Sequence, residues 1–257
     1  LIIYNITTFM ASSAILIVGA SKGIGKALAI ILAKIYPSYQ VYAVSRAISS
    51  QQSEFSSISS NIQCIDADSS TTEGVNTILQ TVTQRVKFLV YGAGDVGPKW
   101  DENITPEDFD RNMNVNARGA FFITRGLQHQ FEENAKILFI TTGCGRFYAI
   151  PTPLYSISKA AFNMIAEIMK KEIHGASVGL VEPGLARTNM YRMASEKAPE
   201  LGGLATISPE IVAKFLSFLL SDRVNGEEFS SQIWNIYDTQ HHSRWHEAGD
   251  EELINPF

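Results

Sequence analysis

The strongest constraint on the fold of this chain is the alternation of short apolar segments with segments of helical period. The first unit begins with the apolar run Ala14 to Val18, passes through a glycine-rich turn and continues with apolar residues three and four positions apart. Repeated along the chain, this alternation predicts parallel strands joined by right-handed crossover helices. We therefore expect an α/β fold, a doubly wound sheet of seven parallel strands with helices on both faces.

The same pattern predicts where the elements begin and end. The predicted strands are Ala14 to Val18, Val41 to Val44, Ile62 to Ile65, Phe88 to Tyr91, Lys136 to Thr141, Ser177 to Val181 and Gln232 to Tyr237. After a first helix that carries Ile24 to Ile35, helices are predicted over Gly74 to Val86, Glu107 to Phe131, Tyr155 to Ile173 and Ile211 to Leu220. The polar stretch Ser49 to Ser60 is interpreted as a loop or short helix, so we predict one domain over residues 14–257. Residues 1–13 are interpreted as an N-terminal extension, since no positively charged region precedes Met10.

Composition excludes several classes of protein. The 257 residues carry 21 basic and 26 acidic side chains without a basic block, so neither nucleic acid nor an anionic membrane is an expected partner. No apolar run reaches the roughly 18 residues that a membrane-spanning helix needs. The two cysteines, Cys64 and Cys144, lack metal-ligand spacing and favour a reducing compartment, so we expect the protein in the cytoplasm.

A glycine-rich turn follows the first predicted strand and opens the first predicted helix. It reads Gly19-Ala20-Ser21-Lys22-Gly23-Ile24-Gly25, a G-x3-G-x-G spacing. Backbone amides in such a turn can approach a pyrophosphate, whose charge the helix N-terminus favours. A glycine loop alone can be merely a tight turn, but its position here predicts a nucleotide site in a Rossmann-like domain.

The end of the second strand indicates which nucleotide binds. Ser45 and Arg46 stand where an NAD-preferring site places a carboxylate on the ribose, and a guanidinium suits a 2′-phosphate instead. Lys22 adds a second cation, so we predict NADP as the cofactor; the alternative for each cation is a solvated surface side chain. Asp66 and Ala67 follow the third strand, where Asp66 either bonds the adenine amino group or forms a turn.

Tyr155 and Lys159 are four residues apart in a segment of helical period, so both side chains lie on one helix face. An ammonium about 4–5 Å from a phenol favours the phenolate by roughly 3–4 kcal/mol at an effective dielectric near 20. We therefore expect the pKa of Tyr155 to fall towards neutrality and the phenol to serve as an acid–base group. The alternative is a core tyrosine beside a surface lysine.

Thr142 closes the fifth strand, thirteen residues before Tyr155, at the sheet edge where open α/β folds bind ligands. With the glycine loop, the Tyr155 and Lys159 pair, Asn116 and the Pro183-Gly184 turn, five features occur in the order typical of one family. From Ala14 to about Tyr237 the chain resembles the short-chain dehydrogenase/reductase family.

The resemblance implies a role for each matching residue. Tyr155 would protonate the carbonyl oxygen during reduction, and Lys159 would lower its pKa and hold the nicotinamide ribose. Thr142 would bond the substrate oxygen. Asn116 would anchor a water that relays protons, a role for which Asn114 competes. Further cofactor contacts are implied for Gly92, Ala93, Gly94, Pro183, Gly184 and Thr188.

Three positions depart from the pattern of the family. Thr142 replaces the usual serine and keeps the hydroxyl, so we expect activity to survive. Tyr91 stands at the first asparagine of the family's N-N-A-G motif, which removes polar contacts on the adenosine side. Val18 replaces a threonine before the glycine loop.

Two further regions bear on the site. His241, His242 and His246 lack an acidic partner at strict spacing, so no metal is predicted. Residues 188–208 fall where the family carries its substrate lid. Apolar lining by Met190, Tyr191, Met193 and Leu204, faced by Phe147 and Tyr148, suits aromatic or bulky ketones, although ordinary helix packing is the alternative.

The resemblance implies an NADPH-dependent carbonyl reductase close to the small reductases of aromatic diketones and to enzymes like sepiapterin reductase. Two alternatives stay open, an NADP-linked alcohol dehydrogenase working in the oxidative direction and an NADP-binding sensor with little turnover. The two long predicted helices carry apolar residues on more than one face, and the family pairs them between subunits. We therefore expect a homodimer or homotetramer.

Overall fold

The computed structural model describes residues 13–148 and 150–245. Within them seven strands form one sheet in the order β3-β2-β1-β4-β5-β6-β7, and every neighbouring pair is parallel. The predicted doubly wound architecture is thereby confirmed. The strands are β1 (Ala14–Val18), β2 (Gln40–Ser45), β3 (Ile62–Asp66), β4 (Val86–Tyr91), β5 (Phe131–Ile140), β6 (Ala176–Glu182) and β7 (Ile233–Asn235).

Helices connect these strands and cover the sheet on both faces. They are α1 (Gly23–Ile35), α2 (Gln52–Ile58), α3 (Thr72–Thr81), α4 (Pro106–Met113), α5 (Gly119–Gly126), α6 (Pro153–Glu172), α7 (Asn189–Lys197), α8 (Pro209–Leu220), α9 (Gly226–Ser231) and α10 (His242–Trp245). The predicted helix Gly74 to Val86 instead ends at Thr81, because Val86 already pairs with β5 at the start of β4. None of the described helices is long and apolar enough to cross a membrane.

The core consists of two apolar layers, one on each face of the sheet. Alternate residues of β1 enter different layers, since successive side chains of a strand point to opposite faces. Ile15 and Ile17 pack in the layer that α1 and α8 cover. Leu16 and Val18 pack in the layer that α3, α5 and α6 cover. Both faces of this parallel sheet are therefore buried, as its continuous apolar strands require.

The long helix predicted over Glu107 to Phe131 is wrong in two respects. First, a π-helical turn at Asn114–Arg118 separates α4 from α5, and the Gly119 amide there donates to the carbonyl of Asn114, five residues back. The Tyr91 hydroxyl donates to the Val115 carbonyl at 2.9 Å. Second, α5 ends at Gly126, because Phe131 already pairs with Val86 at the start of β5.

The direction in which successive strands are added to the sheet reverses between β1 and β4. Strand order runs outward from β1 through β2 to β3 on one side, and from β4 through β5 to β7 on the other. Loops diverge at such a switch point and leave a crevice beyond the carboxyl ends of the strands, where open α/β sheets bind ligands. The glycine turn after β1, Gly92 after β4 and Thr142 after β5 all lie at this edge.

Candidate active site

The glycine turn after β1 packs directly against the loop after β4. Gly19 has a φ of +95°, a backbone conformation that favours glycine, and a methyl group placed on it would lie 2.6 Å from the Ala93 nitrogen. The first turn of α1 receives no side-chain cap from Lys22, so its amides remain available to an anion. A cradle of this form fits the pyrophosphate of a dinucleotide.

Polar and cationic side chains surround the end of β2. The Ser45 hydroxyl donates to the Ser21 hydroxyl at 3.1 Å, which joins this strand end to the glycine turn. Arg46 and Lys22 are both exposed, and within the described residues no ion pair involves either of them. The carboxylate that an NAD-preferring site needs is absent from positions 45 and 46.

Asp66 forms hydrogen bonds with the loop after β2, as the second of its two predicted roles requires. Its carboxylate accepts the Ile48 amide at 2.6 Å, the Ser49 amide at 2.8 Å and the Ser49 hydroxyl at 2.5 Å. The hydrogen bonds from Ser49 lower the pKa of this carboxyl. Ala67 donates its amide to the Ser45 carbonyl at 3.0 Å and is buried. The two residues thus hold the loop after β2 in place.

The end of β5 places Thr142 at the carboxyl edge of the sheet, one residue beyond Thr141. Thr141 turns inward and donates its hydroxyl to Asn163 of α6. The Thr142 hydroxyl accepts the Cys144 amide at 3.4 Å and caps a short 3-10 turn, Gly143–Gly145. Cys144 packs against a small apolar cluster of Ile150, Tyr155 and Ala198, so the turn after Thr142 lies beside the cluster that holds the tyrosine of α6.

Tyr155 and Lys159 share one buried face of α6, with 8% and 4% of their surfaces exposed. The Lys159 ammonium lies 5.9 Å from the centre of the Tyr155 ring and 4.4 Å from that of Phe162. It donates to the Ile140 carbonyl at 3.0 Å. The Tyr155 hydroxyl instead contacts the sulfur of Met190 at 3.8 Å.

The prediction that Lys159 lowers the pKa of Tyr155 does not hold in this structure. Burial raises the pKa of Tyr155, and Cys144 nearby raises it further. The ammonium faces the ring and a carbonyl rather than the hydroxyl, so its field does not offset the loss of solvation. Burial also lowers the pKa of Lys159 to about 8.

Asn116 lies in the π-helical turn and is fully buried. Its side-chain oxygen accepts the Asp95 amide at 2.7 Å, and its amide nitrogen donates to the Asp95 carbonyl at 2.8 Å. The same nitrogen lies 2.8 Å from the Ser158 hydroxyl and 3.0 Å from the Asn112 side-chain oxygen. Asn116 therefore ties the loop after β4 to α6 through Ser158, the residue that precedes Lys159.

Sequence reasoning missed Asn112 and Ser158, which complete this buried polar cluster. Both are 0% exposed, and the Ser158 hydroxyl also bonds the Asn112 side chain at 3.3 Å. Asn112 precedes Asn116 by four residues, so a polar residue on the same helix face was the available signal. π-turns of this kind occur frequently at functional sites.

The Pro183-Gly184 turn leaves β6 and leads into α7. Gly184 has a φ of +69°, and a methyl group on it would lie 2.7 Å from the ring of Tyr237. Thr188 caps α7, since its hydroxyl accepts the Tyr191 amide at 3.2 Å. A Cβ added to Gly23 would lie 3.0 Å from the Thr188 methyl group, so any side chain at position 23 would touch Thr188. Thr188 thus lies against the glycine turn, two residues before Met190.

The segment predicted as a lid contains α7, and Met190 of this helix reaches the Tyr155 hydroxyl. Phe147 and Tyr148 follow the short turn after Thr142 and are 64% and 61% exposed. Over residues 13–148 and 150–245 the structure brings together no group of three acidic, histidine or cysteine side chains that would hold a metal. His246 lies outside the described residues.

Comparison with known families identifies the chain. The model of the family described as short chain dehydrogenase matches residues 13–199, which include the glycine turn, Thr142, Tyr155 and Lys159. The chain belongs to the short-chain dehydrogenase family. The match also covers the start of the lid segment.

This short-chain dehydrogenase is similar to curated fungal reductases and to solved members of the fold. Versicolorin reductase of Emericella nidulans is 28% identical over 232 residues, which cover 80% of this chain and 88% of that protein. A hydroxynaphthalene reductase-like protein of Metarhizium acridum is 30% identical over 193 residues, 71% of each chain. The angucycline C-6 ketoreductase LanV, solved with bound NADP, superposes with a TM-score of 0.73 at 23% identity, over 88% of this chain and 93% of that one.

Proposed function

We propose that this short-chain dehydrogenase is an NADPH-dependent carbonyl reductase that converts a ketone or diketone to a secondary alcohol, with Tyr155 as the general acid. The observation that carries the proposal is the pairing of buried Tyr155 and Lys159 on α6, beside the hydroxyl-bearing turn at the end of β5. At the ligand-binding edge of the sheet, a phenol can protonate a carbonyl oxygen, and a nearby ammonium can stabilise the phenolate that remains.

The crevice fits a nicotinamide dinucleotide. Gly19 approaches Ala93 so closely that only backbone lines this part of the crevice, and no side chain there would block the dinucleotide. The start of α1 has no side-chain cap, so its amides can bind the pyrophosphate. The glycine turn and Gly92, Ala93 and Gly94 would hold the dinucleotide, and Pro183, Gly184 and Thr188 would add contacts from the segment after β6. When bound, a reduced nicotinamide supplies the hydride.

Preference for the phosphorylated cofactor is proposed from the charges around β2. Arg46 and Lys22 are exposed cations without ion pairs among the described residues, and Ser45 occupies the position where an acid would repel the 2′-phosphate. The related ketoreductase LanV is named with NADP bound, which supports the same choice here.

The protein's own residues divide the chemistry among them. Tyr155 gives its hydroxyl proton to the carbonyl oxygen. Its raised pKa keeps the phenol protonated at neutral pH, which is the form that an acid needs. Thr142 donates a hydrogen bond to the same oxygen. Lys159 supplies positive charge behind the phenol. Asn116, in the π-helical turn, would anchor the water that links the lysine to solvent and replenishes the proton.

A bulky or aromatic ketone is the proposed substrate class. The Tyr155 side chain lies in a small apolar cluster with Ile150 and Ala198, and Phe147 and Tyr148 extend from the neighbouring turn. Aromatic side chains of this kind suit a flat ring system. One fungal relative is named versicolorin reductase and another hydroxynaphthalene reductase-like protein, and a hydroxynaphthalene is a fused-ring aromatic compound.

A homodimer or homotetramer is proposed from the outer surface of α4, α5 and α6. Large apolar side chains remain exposed there, an arrangement that commonly marks an interaction site. They are Phe109, Phe122, Ile157, Met164 and Ile168, with between 41% and 60% of their surfaces exposed.

The experiment that tests the function is NADPH oxidation across a panel of aromatic diketones, quinones and simple ketones. Turnover with aromatic ketones, and a preference for NADPH over NADH, is the expected result. Turnover confined to alcohols with NADP⁺ would identify the oxidative dehydrogenase. Binding of NADPH without turnover of any compound would favour the sensor.

A further inference from the structure

Met190 occupies the position next to the Tyr155 hydroxyl that a substrate carbonyl must take. Its sulfur lies 3.8 Å from that hydroxyl, the distance of a weak hydrogen bond to sulfur. Its terminal methyl would be 2.9 Å from a Cβ on Gly94, so the side chain bridges from α6 to the loop after β4. One flexible side chain therefore spans the crevice directly over the proposed acid.

The backbone that carries Met190 is held at both ends. Ala186 pairs with Ile207 as an isolated parallel bridge, and the Arg187 amide donates to the Ile207 carbonyl at 2.8 Å. At the far end of α7, Lys197 forms an ion pair of 3.0 Å with Glu102 of the loop after β4. Entry of a substrate is therefore accommodated by the Met190 side chain more readily than by displacement of α7.

A thioether is suited to being displaced. Sulfur accepts hydrogen bonds weakly, and methionine has three rotatable bonds, so a carbonyl oxygen competes well for the phenol and the side chain has other rotamers. A larger ring requires Met190 to withdraw further than a small aliphatic ketone does. The volume at position 190 thus sets which ring sizes can reach Tyr155.

We propose that Met190 determines substrate specificity. Its side chain plugs the site, and the carbonyl group of a substrate displaces that side chain from the Tyr155 hydroxyl on binding. The inference rests on the proposed function, since it assigns Tyr155 as the group that receives the carbonyl oxygen. It predicts that shortening residue 190 favours ring ketones over small ones, whereas keeping its volume preserves the native preference.

The test compares kcat/KM for tetralone, a fused-ring ketone, with kcat/KM for butanedione. Met190→Ala should raise the ratio of kcat/KM for tetralone to kcat/KM for butanedione about tenfold, the usual scale for a change of this size in an apolar pocket. Met190→Leu keeps the volume without the sulfur and should leave the ratio within about threefold. Glu196→Ala, on the exposed side of the same helix, controls for disturbance of α7.

An unchanged ratio in Met190→Ala, or an equal change in Glu196→Ala, would overturn the proposal.

A second readout does not depend on turnover. In protein labelled with methyl-¹³C methionine, six methyl resonances are expected, and Met190→Leu assigns one of them. Saturation with tetralone in the presence of NADPH should shift the Met190 resonance, and an unmoved resonance at saturation contradicts displacement. If neither ketone is reduced yet the resonance shifts, the proposed function fails while the plug stands.

Discussion

Arg146 and Glu182 form an ion pair that joins the turn after Thr142 to the end of β6, with 2.6 Å between Nη2 and Oε1. The Glu182 side chain is only 10% exposed, and Asn235 of β7 donates to its other oxygen at 3.3 Å. Glu182 immediately precedes the Pro183-Gly184 turn. The pair thus holds together two loops that flank the crevice, one proposed for the substrate and one for the cofactor.

Arg146→Ala should destabilise the protein, because it leaves the Glu182 carboxylate nearly buried without its cation. We expect a loss of about 1–2 kcal/mol in the free energy of unfolding, below the full cost for a buried pair because Arg146 itself is half exposed. Urea unfolding measures the effect. Arg192→Ala removes an exposed ion pair with Glu196 and should change stability by less than about 0.5 kcal/mol. Equal losses in the two variants would show that Glu182 does not depend on Arg146.

Tyr91 has a structural role in place of the asparagine expected from the family. Its hydroxyl lies 3.1 Å from the Ser69 hydroxyl and donates to the Val115 carbonyl in the π-helical turn, and its ring packs against Phe162. Tyr91→Phe keeps the ring and should cost about 1 kcal/mol in the free energy of unfolding. Tyr91→Asn leaves a cavity and should cost about 3 kcal/mol or more. Thermal unfolding of both variants checks the order, and a more stable Tyr91→Asn would refute the packing role.

The alternation of strands and helices was sufficient to predict the sheet. β1 is buried throughout, and its apolar run has no polar interruption, so a central parallel strand was the direct interpretation. The break between α4 and α5 was not predictable, because it involves a phenol from β4, some 24 residues earlier. The Arg146 and Glu182 pair spans 36 residues and leaves no periodic signal.

The candidate site was predictable as a set of residues but not in its electrostatics. Spacing along a helix places Tyr155 and Lys159 on one face. The direction in which each polar head points depends on Ile140 and Met190, which belong to other elements. For the same reason the sequence could not indicate that Asp66 bonds the backbone of the loop after β2.

The reduction should lose activity as the pH rises through about 8. Burial lowers the pKa of Lys159 to about 8, so its ammonium is present below that pH and is lost above it. The pKa of Tyr155 is raised, so the phenol keeps its proton throughout this range. We expect kcat/KM for NADPH to be level at lower pH and to decline above about 8.

Lys159→Arg provides the matched comparison for this pH profile. A guanidinium keeps its charge at all pH values at which the protein folds, so the decline should move to higher pH even if the rate is lower. A wild-type profile that stays level to pH 10, or that rises through pH 8, would contradict the assignment of Lys159.

Arg46 is expected to set the preference for NADPH. Arg46→Ala should raise KM for NADPH about tenfold and leave KM for NADH nearly unchanged, because only NADPH carries the 2′-phosphate that the guanidinium binds. Arg125→Ala, at an exposed arginine near the end of α5, is the control. Steady-state kinetics with both cofactors decide the matter. A parallel rise in KM for the two cofactors would place the effect of Arg46 outside phosphate recognition.

The most direct test of the account is the rate of ketone reduction by Tyr155→Phe, which removes one hydroxyl and keeps the ring. The variant should bind NADPH as tightly as the wild type, measured by fluorescence titration, and kcat should fall about 100-fold or more. Tyr39→Phe, in the loop before β2, should keep the wild-type rate. If Tyr155→Phe reduces an aromatic ketone at a rate comparable to that of the wild type, Tyr155 is not the acid, and the proposed mechanism is wrong.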